Sequence, residues 1–155
     1  MSARDEIARF IEDEGHRVEV SAVDGERDLS EIVFRSRGQM FSVAISELDP
    51  TRLRISTAYE IPDWVRDRHH ALGALGDVER EYREAHFTLA HDDTIFVATL
   101  DYDGPNVQAF LSHFWEIVGR LRDAGTAAIE RMVDRSESKA AADKFIRQFM
   151  KGERQ

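Results

Sequence analysis

The amino-acid sequence predicts an α+β domain: an antiparallel sheet of five to six strands flanked by helices, in the order α-β(3-4)-α-β-β-α, with a further helix at the C-terminus. Three observations predict it. Apolar residues recur at helical spacing around Ile7, Leu75 and Phe114, they alternate singly with polar residues between Phe41 and Ile61, and turn-forming dipeptides punctuate the alternating runs. A chain of 155 residues is enough for one core that buries about two-thirds of its unfolded surface.

The first helix opens at Ser2, with Asp5 three residues on as its capping partner, and Ile7, Phe10 and Ile11 form its apolar stripe. Gly15 ends it. Val18 and Val20 then alternate with polar residues into an expected turn at Asp24-Gly25. Ile32, Val33 and Phe34 make the next strand, Arg37-Gly38 turns the chain, and Phe41, Val43 and Ile45 return antiparallel. After Asp49-Pro50, Leu53, Ile55, Thr57, Tyr59 and Ile61 share one face, with Arg52, Arg54, Ser56 and Glu60 on the other. These three strands form a meander.

Pro62 ends the strand, and Asp63 is the expected cap of a helix whose apolar face holds Trp64, Ala71, Leu75, Val78 and Tyr82. Trp64 therefore reads as core. Gly73 and Gly76 lie on the opposite side, each costing about 1 kcal/mol against alanine, and mark either a break or a close approach by another element. Phe87 and Leu89 start a strand, His91-Asp92-Asp93-Thr94 turns, and Ile95 to Tyr102 is apolar on both faces, as an internal strand is. One long helix is expected from Asn106, with a stripe of Val107, Phe110, Leu111, Phe114, Ile117, Val118, Leu121, Ala128 and Met132. A charged link, Asp134-Arg135-Ser136-Glu137, precedes a short last helix with Ala142, Phe145, Ile146 and Phe149 on one face. The expected organisation is a single domain over 1–134 with an amphipathic tail over 135–155.

Charge and composition exclude several function classes. The absence of cysteine removes disulfides, thiolate zinc sites and cysteine nucleophiles, and suits a reducing compartment. No apolar run approaches the ~18 residues of a membrane span, and the opening segment is charged, so a cytoplasmic, membrane-free protein is expected. The tail carries six basic residues (Arg135, Lys139, Lys144, Arg147, Lys151, Arg154) against three acidic ones, leaving it at +3 and the body at −12 within a total of −9. An acidic body repels a phosphate backbone, which disfavours direct nucleic-acid binding.

No constellation specifies catalysis. His69 and His70 are adjacent and point apart on a helix, so they do not chelate together. His86, His91 and Asp93 are the only residues around which a small-molecule or metal-assisted hydrolytic site is conceivable, and His91, Asp92 and Asp93 more simply form a solvated turn. His113 has only Ser112 beside it, which is no triad. Neither catalytic residues, cofactor nor metal is expected. Partner-binding candidates are Trp115 and Val133 on one flank of the long helix, Gly73 and Gly76 on the middle helix, and Phe145 and Phe149 on the tail. Trp115 reads equally as an interface anchor or as a cap on the core edge. The tail has three readings (folding back, packing on a second subunit, lying on an anionic membrane), and the acidic body favours protein over lipid.

The opening amphipathic helix, Met40 to Ile61 with Leu53-Arg54-Ile55-Ser56 after an Asp-Pro turn, Leu72-Gly73-Ala74-Leu75, Glu81-Tyr82-Arg83 before Phe87-Thr88-Leu89, and Asp92-Asp93-Thr94-Ile95-Phe96-Val97 together resemble the YbjN-like family. The resemblance runs from about Ala3 to Val133 and leaves the tail outside; Gly73 and Gly76 stand where such proteins often carry asparagines. It implies the fold of type III secretion chaperones, with a curved antiparallel sheet. It also implies a non-enzymatic, homodimeric chaperone or adaptor for a protein client, in stress or regulatory circuits. It transfers no functional residue.

Overall fold

The computed structural model describes residues 2–22, 28–65 and 67–153; the expected turn at Asp24-Gly25 lies outside them. Helix α1 spans Ala3–Asp13, with the Ser2 hydroxyl accepting from the Asp5 amide at 3.2 Å. Gly15, at φ +91°, closes it, and the His16 amide reaches back to the Ile11 carbonyl. Strands β1 (Val18–Ala22), β2 (Leu29–Ser36), β3 (Gln39–Ser46) and β4 (Arg52–Glu60) follow as an antiparallel meander. Arg37 and Gly38 both have positive φ, 52° and 76°, the hairpin turn whose twist suits flanking strands. β5 (Ala85–Ala90) and β6 (Ile95–Asp103) complete one six-stranded antiparallel sheet in the order β1-β2-β3-β4-β6-β5, so β6 is internal as its two apolar faces predict.

All helices pack on one face. Strict alternation turns Ile32, Phe34, Phe41, Val43, Ile45, Leu53, Ile55, Ala98 and Leu100 toward α1, α3 and the first turns of α4. A second cluster joins Ala71, Ala74, Leu75 and Val78 of α2 to Ile61, Val65, Phe96, Ala128 and Met132. Aromatic contacts knit the first cluster: the Phe114 ring lies 5.5 Å between centroids from both Phe34 and Phe110. Deep burial of so many large side chains, at about 1.5–3 kcal/mol gross each, is what offsets the entropy of ordering the chain.

Four expectations differ from the structure. The helix after Pro62 does not start at Asp63: residues Asp63–Val65 form one 3-10 turn, and α2 (Arg68–Glu81) begins separately, with the Asp67 carboxylate accepting from the His69 and His70 amides. Trp64 is consequently not core. It is 61% exposed, and Val65 takes the buried position, because a projection at 100° per residue fails across two helical segments with different axes. The long helix is stepped: α3 (Val107–Ser112), capped by the Asn106 side chain, gives way at His113 to α4 (Phe114–Glu153). A single-residue step still leaves Phe110, Phe114, Ile117, Val118 and Leu121 on one buried side. Finally, residues 134–137 are not a link. α4 continues through them to Glu153, since the segment contains neither glycine nor proline and Arg135 is held by Asp77 of α2.

α2 is likewise unbroken at Gly73 and Gly76. Gly73 instead marks a close approach, because the Arg135 guanidinium occupies the space a β-carbon would need.

Candidate sheet-face binding site

The same alternation that fills the core leaves the opposite sheet face without a helix among the described residues. On it stand Glu31, Val33 and Arg35 of β2, Met40, Ser42 and Ala44 of β3, Arg54, Ser56 and Ala58 of β4, Val97, Thr99 and Asp101 of β6, and His86 and Thr88 of β5. None of these belongs to either core cluster.

Register organises this face into rows. The central row runs through all six strands as Glu19, Val33, Ser42, Ser56, Thr99 and His86. Its middle is built of short hydroxyl side chains: Ser56 and Thr99 hydroxyls lie 3.2 Å apart, and Ser42 donates to the Glu31 carboxylate. One row to one side, Arg54 grips Asp101 through Nε at 2.7 Å and Nη2 at 3.3 Å. On the other side, Ala58, Val97 and Thr88 follow one another, with Met40 51% exposed nearby. Short side chains flanked by longer ones produce two shallow depressions. One of about 250 Å³ has Glu31, Val33, Met40, Ser42, Ser56, Ala58 and Val97 in its walls. The other, about 470 Å³, lies by Ala44, Arg52, Arg54, Asp101 and Asp103.

Electrostatics on the face is local and balanced. The hydrogen bond from Arg54 holds the Asp101 carboxyl below its ordinary range, with the Arg54 charge and His86 pulling the same way against partial desolvation. Arg54 and Asp101 thus satisfy one another and Glu31 is taken by Ser42, leaving Ser56, Thr99, Val33, Ala58, Val97 and Met40 among the surface a ligand would meet.

The sequence-derived candidates fall elsewhere and apart. Trp115 is half-buried at the corner of α1, β2 and α4, with ring centroids 4.8 Å from Phe114, 6.1 Å from Phe34 and 4.9 Å from His16, so its present role is to close the core edge. Val133 is half-buried about 27 Å further along the same helix. Gly73 faces Arg135, and Gly76 has only the tip of Arg80 near it. The side chains of Phe145 and Phe149 lie outside the described residues. His91, Asp92 and Asp93 are a turn of three consecutive positive φ values, 49°, 55° and 63°, and Asp93 pairs with Arg68. Among the described residues no group of three or more His, Asp or Glu side chains is placed to hold a metal ion. His86 stands on the open sheet face, away from that turn.

Sequence reasoning passed over Glu31, Ser42, Arg54, Ser56, Ala58, Thr99 and Asp101 as site residues, and it grouped His86 with the His91–Asp93 turn rather than with this face. Their signal was present as the polar half of each alternation, but which polar residues become neighbours is set by strand order and register, with Arg54 and Asp101 far apart in sequence.

No family model matches the chain, and no curated protein matches it significantly. Among solved structures it is similar to an uncharacterized protein from Methanothermobacter thermautotrophicus, with a TM-score of 0.61 and 11% identity over 86% of this chain and 98% of that one. It is also similar to YbjN from E. coli, described as a candidate transcription regulator, with a TM-score of 0.53 and 12% identity over 85% and 93% of the two chains. The YbjN-like fold expected from the sequence is therefore present. No helix among the described residues is long and apolar enough to cross a membrane.

Proposed function

We propose that this chain is a non-enzymatic regulator or adaptor that binds a client protein on the open face of its sheet, working as a cytoplasmic homodimer. The observation that carries the reading is the central row of Val33, Ser42, Ser56 and Thr99, an uncovered floor of short side chains beside Ala58 and Val97. An antiparallel sheet covered on one side exposes a broad, gently shaped platform. Short hydroxyl and methyl groups let another polypeptide's side chains sit close to the backbone, while the Arg54–Asp101 pair and Glu31 supply polar contacts at the rim. The mixed charge of the face, set in an acidic body, does not suit a nucleic-acid backbone.

Affinity capture from the native cell, quantified by mass spectrometry, tests this. Ala58→Arg plants a long cation in the middle of the platform and touches no core residue. Partners retained by the wild type and lost from Ala58→Arg support the reading; a partner set unchanged by this substitution and by a matching Val97→Glu rejects it.

A further inference from the structure

The two edges of the sheet are not equivalent. At the β5 edge the outward-pointing amides are taken by the chain itself: the Ala85 amide donates to the Tyr82 carbonyl at 3.0 Å, and the Phe87 amide donates to the Glu79 carboxylate of α2 at 2.8 Å. That edge is closed to strand addition over this half. β1 pairs only with β2, and among the described residues no side chain or loop group bonds the amides on its other edge. Glu19, Val20, Ser21 and Ala22 are all exposed, Val20 at 44%. An open edge with an uncovered β-branched side chain is a template for another strand.

We propose that the outer edge of β1 is the seam between two copies of this chain, which pair β1 antiparallel about a two-fold axis at Val20. The strand is self-complementary in one register, which argues for a second copy as its occupant. Centred on Val20, the pairing sets Val20 against the partner's Val20, Glu19 against the partner's Ser21, and Val18 against the partner's Ala22. All five residues of β1 find a mate, the apolar ones meet on the helix-bearing side, and no two charges oppose. Sliding the axis to residue 19 brings two glutamates face to face, which is destabilising. The result is one sheet of doubled width with both open faces on the same side, a wider version of the client platform. This inference rests on the homodimer part of the proposed function.

The chain has no cysteine, so a single introduced thiol reports on the seam without background. In full-length protein, Val20→Cys should form a disulfide-linked dimer rapidly under mild oxidation, while Thr88→Cys at the closed β5 edge should not. Val20→Lys, which sets two cations across the axis, should weaken dimerisation by about tenfold or more in sedimentation equilibrium, with an unchanged circular-dichroism spectrum. If the wild type sediments as a dimer and Val20→Cys cross-links no faster than Thr88→Cys, the seam lies elsewhere, and the adaptor reading stands. A wild type that stays monomeric at high micromolar concentration overturns both the seam and the homodimer, whereas client binding is judged separately by Ala58→Arg.

Discussion

Gly125 of α4 lies directly against the ring of Tyr59 on β4, so close that a β-carbon at residue 125 would overlap the ring atoms Cε2 and Cζ. The Tyr59 ring is pinned on both sides of this contact, stacked on Phe96 at 5.1 Å and donating its hydroxyl proton to the Arg122 carbonyl at 3.2 Å. Burial pushes the Tyr59 hydroxyl above its usual pKa. Neither partner can move away cheaply, so this one missing side chain sets how near the long helix approaches the sheet.

Gly125→Ala should therefore destabilise the protein by about 1–3 kcal/mol through overpacking, against its helix-propensity gain. Gly119, six residues earlier on α4, has nothing within 4 Å of where a β-carbon would sit. Gly119→Ala should stabilise by about 0.5–1 kcal/mol. Urea denaturation of the two variants, read for opposite shifts in midpoint at equal slope, checks both signs at once.

A buried and an exposed apolar side chain should part company just as sharply. Leu121 is fully buried between α4 and the sheet, so Leu121→Ala should cost about 2–5 kcal/mol. Trp64→Ala, at an exposed side chain, should change stability by no more than about 0.5 kcal/mol. Thermal melts of the pair measure this, and a large loss from Trp64→Ala would mean that the 3-10 turn is packed differently.

Asp101 provides a test of the open face. Its carboxyl titrates below the ordinary aspartate range because Arg54 donates to it, so the pair favours the folded state above the unfolded pKa of about 3.9 and that contribution is lost as pH falls through the lower folded value. Carboxyl carbon shifts followed by NMR should show a depressed midpoint for Asp101 that rises in Arg54→Gln. Because both side chains are more than half exposed, the stability change should be small.

On α2, Gly73→Ala should come out near neutral. A β-carbon there displaces the guanidinium of Arg135 from its pairing with Asp77, while the alanine itself favours the helix by about 1 kcal/mol. The diagnostic is the Asp77 carboxyl, which Arg135 holds below its ordinary range: its titration midpoint should move up in Gly73→Ala and in Arg135→Ala alike.

Local pattern was legible wherever one face of an element is buried. The alternation in β2, β3 and β4 and the stripe from Phe110 to Met132 are each a record of a single covered side, and the structure buries most of those residues, with Tyr59 and Leu111 half-buried. Reading failed where an element changes axis, as at Trp64 and His113, because periodicity assumes one straight helix. It failed also at Asp134 to Glu137, where charge was taken for a boundary although Arg135 has its mate on α2.

By itself the sequence determined the class of the main elements, their order and most of the residues that leave water, since hydrophobic periodicity is written along one strand or one helix at a time. Only the tertiary structure decided that β6 inserts between β4 and β5, that Ser56 meets Thr99 and Arg54 meets Asp101, and that one sheet edge is closed by Glu79 while the other stays open. The physical reason is that polar surface residues bear no periodic constraint of their own: their neighbours come from the register of strands distant in sequence, and that register is set by packing on the opposite face.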